Sequence, residues 1–292
     1  MPHMKKMTPA TDEKVRPMFF RPTGNAMLRT LRCFLLLAGV ICSGCVAARQ
    51  PAVKADQPGQ QLLKVGITTN APPMAYMENG KITGLEAEFA HGLAAYTGRK
   101  LRFVELKWED QIPALLAGRT DIIMSAMTVT SARNYLIAFA DPYMVTGQVS
   151  LVRLAEYNRF SNGFTDLLNP VVRVGTVKAT TGDFLITRNK SKGTVIRYNN
   201  AAEAVQGLLD KKIDAFVYDL PMNFYLGARY ADQGLTPVTI PMTKEFIAWG
   251  IRRDDPRLLE QANAYLQEIK STGRLREMII RWIPFYERLF NK

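Results

Sequence analysis

This sequence predicts an α/β fold of two successive units, each a mostly parallel sheet flanked by helices. Three observations carry that expectation. Short apolar, β-branched runs alternate with stretches of helical periodicity between residues 62 and 125. The same rhythm restarts at residue 171. Finally, 292 residues with 47% hydrophobic and 22% charged side chains are ordinary globular composition, with enough apolar mass for two modest cores.

Element by element, residues 63–67 (Leu-Lys-Val-Gly-Ile) read as a short strand. Gly84 precedes a helix whose Leu85, Phe89, Leu93 and Tyr96 share one face, and Gly98 ends it. Residues 101–106 alternate as a strand, 108–118 make a short helix, and 121–125 a buried strand. The second unit opens with a strand at 171–175. A helix near 183–189, a strand at 193–198, a helix at 201–211 and a strand at 213–218 follow. Residues 256–271 and 275–282 are helical. The extended segments 145–153 and 235–242 are expected to cross between the units. Two tandem sheets leave a cleft at their C-terminal strand edges, where ligands gather in open α/β folds.

The first 45 residues stand apart. Residues 33–46 form an apolar run after Arg29 and Arg32, too short for a spanning helix of ~20 residues and suited to a signal-peptide core. A compact signal would start at Met27. Ser43-Gly44-Cys45 resembles a lipobox with Cys42 where leucine is usual, and Val46-Ala47-Ala48 suits ordinary signal peptidase. The lipid-anchored product, attached at Cys45, is the preferred expectation. Cys33, Cys42 and Cys45 are the only cysteines, so the exported part has no disulfide and no cysteine metal site, and no cofactor is expected. The organisation expected is a leader at 1–45, a Pro/Gly-punctuated tether at 46–61, a first lobe at 62–146, a second at 147–240, and a return to the first lobe with C-terminal helices at 241–292. Of the 38 basic residues seven fall in the leader, against two of the 26 acidic ones. The rest of the +12 net charge is scattered without a basic stripe, which argues against nucleic-acid binding.

The chemistry lies in two separated motifs. One is Thr128-Val-Thr-Ser-Ala-Arg133; the other is Asp214-Ala-Phe-Val-Tyr-Asp219. An arginine and a hydroxyl can hold a carboxylate, and a distant aspartate can hold an ammonium. Together they describe a receptor for a zwitterion, a free amino acid. Each residue also has a plainer role available. Thr128 could cap the following turn, Arg133 could be an exposed helix arginine, and Asp219 could cap a helix starting at Pro221.

Several motifs occur in a fixed order. They are Pro72-Pro-Met with Gly84-Leu-Glu-Ala-Glu88, Trp108 to Gly118, Asp121 to Arg133, Phe139-Ala-Asp-Pro-Tyr143, Val174-Gly175, and Asp214 to Asp219. On these the chain resembles the family 3 extracytoplasmic solute-binding proteins, amino-acid receptors of bacterial ABC importers, over residues 62–284. The resemblance implies a two-lobed type II periplasmic-binding-protein fold with two hinge crossings and a first lobe discontinuous in sequence. It implies that Arg133 and Thr128 hold the ligand α-carboxylate, with Ser125 and Ala126 on the same loop. Thr181 and Gly182 would add helix N-terminal donors from the other lobe, Asp219 would take the α-ammonium, and Trp108 would wall the ligand side chain.

The family often has an aromatic residue where this chain has Ala71, so the pocket would be roomier unless Tyr76 swings in. Thr68 stands where receptors for cationic amino acids tend to carry an acid, and Lys178 lies near the second-lobe site. Both favour a polar neutral or acidic ligand, with Lys178 meeting its side chain. The expected partners are that amino acid and an inner-membrane ABC permease, with the receptor a monomer. The alternatives are a cyclohexadienyl or arogenate dehydratase-like enzyme on the same scaffold and a sensory ligand-binding module. An elimination enzyme needs an acid poised near neutrality. Glu78, Glu109, Asp183 and Glu245 all read as surface or capping acids, and His91 as an exposed histidine.

Overall fold

The computed structural model describes residues 61–290. The leader, the tether as far as residue 60, and the expectations for Met27 and Cys45 lie outside the described residues.

The chain opens with β1 (Leu62–Ile67), a small meander of β2 (Asn70–Ala71), β3 (Ala75–Glu78) and β4 (Lys81–Thr83), helix α1 (Leu85–Tyr96) and β5 (Lys100–Glu105). A 3-10 turn at Trp108–Asp110 leads into α2 (Gln111–Leu116), β6 (Ile122–Ile123), α3 (Ser131–Leu136) and β7 (Ala138–Phe139). After β8 (Met144–Thr146) come β9 (Gln148–Arg153), α4 (Phe164–Leu167), β10 (Val174–Val177), α5 (Thr181–Asn189) and β11 (Val195–Tyr198). Next are α6 (Ala201–Leu209), β12 (Ala215–Asp219), α7 (Leu220–Arg229) and β13 (Leu235–Pro237). The chain then returns through β14 (Glu245–Ile247) and β15 (Gly250–Ile251) to α8 (Pro256–Ser271), α9 (Arg274–Trp282) and α10 (Tyr286–Phe290).

Two five-stranded sheets result. The first has the order β5-β1-β6-β15-β7, with β1 parallel to β5 and β6, and the late strand β15 antiparallel between β6 and β7. The second has the order β11-β10-β12-β9-β13, parallel across β11, β10 and β12 and antiparallel at β9 and β13. The first lobe is therefore discontinuous: it ends at β7 and is completed by β15 and the C-terminal helices.

The crossings differ from the sequence expectation. Most of 145–153 is β9, buried on both faces inside the second sheet, and β13 is that sheet's edge. Its Gln-Val-Ser-Leu-Val-Arg sequence reads as extended, whether buried in a sheet or spanning a hinge. The crossing pair is β8 with β14, antiparallel from Met144–Ile247 to Thr146–Glu245.

The first-lobe core is aromatic. Phe89, Tyr143, Trp249 and Tyr265 are buried, with Phe89 5.4 Å and Tyr265 6.1 Å from the Trp249 ring. Helix α8 lies so close to α1 that a Cβ at Gly92 would fall 1.9 Å from the Tyr265 hydroxyl. Glu88 of α1 accepts from Arg281 Nη1 and Trp282 Nε1, both at 2.6 Å, which docks α9 on the same helix. The second lobe packs Val152, Phe160, Val174, Ile186 and Val217 between its sheet and helices.

Candidate functional site

A cavity of about 400 Å³ opens between the C-terminal edges of the two sheets, within the range of small-molecule sites. Its walls include Trp108, Ser125, Ala126, Thr128 and Arg133 from the first lobe and Thr181 and Asp219 from the second. Seven of the ten residues expected at the ligand thus border one space.

Helix α3 presents Arg133. Its N-terminus is capped by Thr130, whose Oγ1 accepts from the Arg133 backbone N–H at 3.2 Å. Thr128 does not cap. Its carbonyl accepts from Arg133 Nη1 at 2.9 Å, and its hydroxyl donates to Glu245 Oε2 at 2.8 Å. The guanidinium lies 5.0 Å from the Trp108 ring centroid, a cation–π distance. It is 9% exposed. Burial pushes its pKa down, against the pull of the Asp219 and Glu245 carboxylates.

Asp219 ends β12 where α7 begins, and is 8% exposed. Its side chain makes no capping bond to α7; Oδ1 instead accepts from Gln148 Nε2 at 2.7 Å. Burial, with the like charge of Glu245 second, raises its pKa to about 7. Among the described residues, neither Arg133 nor Asp219 forms an ion pair. A buried arginine and a buried aspartate therefore face one cavity from opposite lobes without an ion pair between them.

The acid at 245 is the main correction. It was expected at the surface; β14 instead carries it to 9% exposure between the lobes. Its carboxylate accepts from Thr128 of the first lobe, from Thr181 of the second at 3.0 Å, from Gln148 at 3.3 Å and from Thr243 at 2.8 Å. The physical reason is the antiparallel β8–β14 pair, which places Glu245 opposite Thr146 and beside the cleft. The other acids fit their expected roles. Glu78 and Glu109 are exposed, and Asp183 is held at the start of α5 by Arg197 at 2.8 Å. His91 is exposed against Phe103.

Three expected ligand residues lie off the main cavity wall. Tyr76 does not swing in; it packs 6.3 Å from Tyr225 and 6.4 Å from Trp282, lining an adjoining cavity. Lys178 is exposed and donates to Asn199 Oδ1 at 2.8 Å. Gly182 is buried beneath Gln148 and Val217, and the side chain of Thr180 caps α5.

Ala126 has a positive φ of 53°, and its N–H donates to buried Glu86 Oε1 at 2.5 Å. Glu86 also accepts from Tyr143 at 2.7 Å and Trp249 at 3.2 Å, and burial raises its pKa to about 7. Sequence reasoning missed Gln148, Glu245 and the supporting Glu86. The available signal was a polar residue heading or interrupting an otherwise apolar run, as Glu245 does before Phe-Ile-Ala-Trp.

This is a two-lobed binding protein with a polar, dipolar cleft between its lobes. The chain belongs to the bacterial extracellular solute-binding proteins, family 3, whose family model matches residues 63–285. A probable histidine-binding protein of Neisseria gonorrhoeae is 26% identical over 240 residues, covering 81% of this chain and 87% of that protein. A putative ABC-transporter binding component of Wolinella succinogenes, complexed with lysine, superposes with a TM-score of 0.72 at 30% identity, covering 76% of this chain and 95% of that one. The ancestral amino acid-binding protein AncCDT-1, described as a precursor of cyclohexadienyl dehydratase, gives 0.69 at 33% identity over 76% and 95%. Among the described residues no helix is long and apolar enough to cross a membrane.

Proposed function

We propose that this protein is an extracytoplasmic receptor that binds a free L-amino acid by lobe closure and delivers it to an ABC importer. One observation carries the reading. Arg133 and Asp219, stripped of water and unpaired with each other, face the same cavity from opposite lobes. An amino acid supplies both missing partners, its α-carboxylate for Arg133 and its α-ammonium for Asp219. Thr128, Ser125 and Thr181 line the carboxylate end, and Trp108 walls the side chain. The distal lining, with Thr68, Thr69, Asn70, Glu105 and Asn199, suits a polar side chain. Thr68 argues against a cationic ligand, but Glu105 on the neighbouring strand returns an acid to the cavity mouth, so lysine and arginine belong in any test panel.

The test is binding of the purified protein to the twenty L-amino acids, with arogenate and prephenate included and turnover followed. Arg133→Ala would leave a desolvated carboxylate unpaired and should cost about 3–5 kcal/mol of binding. An affinity within threefold of wild type would remove Arg133 from the site. A second reading, elimination of water from a cyclic acid, is favoured by the near-neutral pKa of Asp219. Product formation from arogenate or prephenate would select it.

A further inference from the structure

We infer, resting on the amino-acid reading above, that the cleft continues into a second subsite for the distal, carboxylate-bearing end of an elongated amino acid. A second cavity of about 380 Å³ adjoins the first, and the two share Thr69, Asn70, Ala71 and Met222 as wall residues. At the junction the first lobe contributes Thr69, Asn70 and Ala71, so no aromatic or long side chain from that segment closes the passage.

Helix α7 is the floor of both spaces. Asp219, Met222, Leu226 and Arg229 follow one another at three- and four-residue intervals, which is one helix face. Asp219 and Met222 border the first cavity; Met222, Leu226 and Arg229 border the second. Ten residues at 1.5 Å rise set Arg229 about 15 Å along the helix from the ammonium site. Shortened by the reach of both side chains, that span suits a ligand with a charged group at each end, not a short apolar amino acid.

The second cavity's own walls agree. Tyr76 of the first lobe and Tyr225 of α7 pack with ring centroids 6.3 Å apart and together give the second cavity an amphipathic aromatic wall. At the far end Arg229 is exposed and borders the cavity together with Tyr225 and Tyr230. An arginine at the end of such a cavity offers a carboxylate a paired, two-donor contact.

The experiment is calorimetric titration of the full-length protein with L-glutamine, γ-L-glutamylglycine and γ-L-glutamylglycinamide. The last two place an α-amino acid head on a longer chain, with and without a terminal carboxylate. The expected result is that γ-L-glutamylglycine binds at least tenfold more tightly than L-glutamine or the amide. Arg229→Gln should abolish that advantage and leave L-glutamine unchanged, since Arg229 does not touch the first cavity. Ala202→Trp, an exposed position on α6 that borders only the second cavity, should exclude both elongated compounds and spare L-glutamine. Equal affinity for L-glutamine and γ-L-glutamylglycine, or an advantage that survives Arg229→Gln, overturns the subsite. If single amino acids bind and the elongated ones do not, the receptor reading stands and the subsite falls. If nothing binds, both fall.

Discussion

Asp219 carries a pKa of about 7 because burial, reinforced by Glu245, disfavours its charge. The two carboxylates share one donor: Gln148 Nε2 reaches Asp219 at 2.7 Å and Glu245 at 3.3 Å. In the empty protein a raised carboxylate pKa means stability that is complete at acid pH and falls as pH climbs from the ordinary aspartate range through 7. A bound ammonium reverses the preference and holds Asp219 ionised, so binding below pH 7 must release a proton. Ligand affinity should therefore rise between about pH 5 and 7, by up to about tenfold per unit, and level off above. Glu245→Gln removes the neighbouring like charge and should move the inflection to lower pH, while Asp219→Asn should flatten the profile. Titration calorimetry in buffers of different ionisation enthalpy reads both affinity and proton release. A wild-type affinity constant from pH 5 to 8 would mean that Asp219 does not meet the ammonium.

At the scale of elements, the cleft is made by two chain segments arriving from the second lobe, the start of α5 and the end of β12. Gly182, the second residue of α5, lets the helix press onto β9 and β12: a Cβ there would fall 2.6 Å from Gln148 Oε1 and 3.2 Å from the Val217 carbonyl. Gly182→Ala should push α5 outward, costing about 1–3 kcal/mol of stability by overpacking. It should also weaken ligand binding, because Thr181 moves with the helix. Chemical denaturation and titration of the same variant check the pair of effects. Unchanged stability would show that Gln148 yields freely.

Most of these elements were legible in the sequence, since helices such as α8 begin and end on local signals: Asp255 and Pro256 at one end, Gly273 beyond the other. Arg133 and Asp219 were legible as a candidate cation and anion because one follows a helix-opening Thr-Ser-Ala run and the other ends a strand where a helix begins. Glu245 was not, since its partners Thr128 and Thr181 lie 117 and 64 residues away and meet only when the chain returns through β14. The crossings were misplaced for a related reason: β9 reads as an extended segment mixing Val and Leu with Gln, Ser and Arg, and such a pattern cannot tell a buried sheet strand from a hinge.

On the scale of the whole folded body, several protein–protein contacts span the cleft. Trp108 Nε1 of the first lobe donates to the Ala179 carbonyl of the second at 3.0 Å, while the same ring lies beside the Arg133 guanidinium. Glu245 ties Thr128 to Thr181 across the same gap. A ligand that touches both lobes favours the closed arrangement only by its differential affinity, so any protein–protein bond made in the closed state alone adds to its apparent affinity. Trp108→Phe keeps an aromatic ring near Arg133 and deletes the cross-lobe donor. Losing one such bond should reduce amino-acid affinity by about 1 kcal/mol, roughly fivefold, through a larger open fraction of the free protein. Small-angle scattering would then show a larger radius of gyration for the free variant than for the free wild type, and equal radii once both are saturated. If affinity falls while the free radii stay equal, Trp108 acts as a wall for the ligand and not as a latch between the lobes.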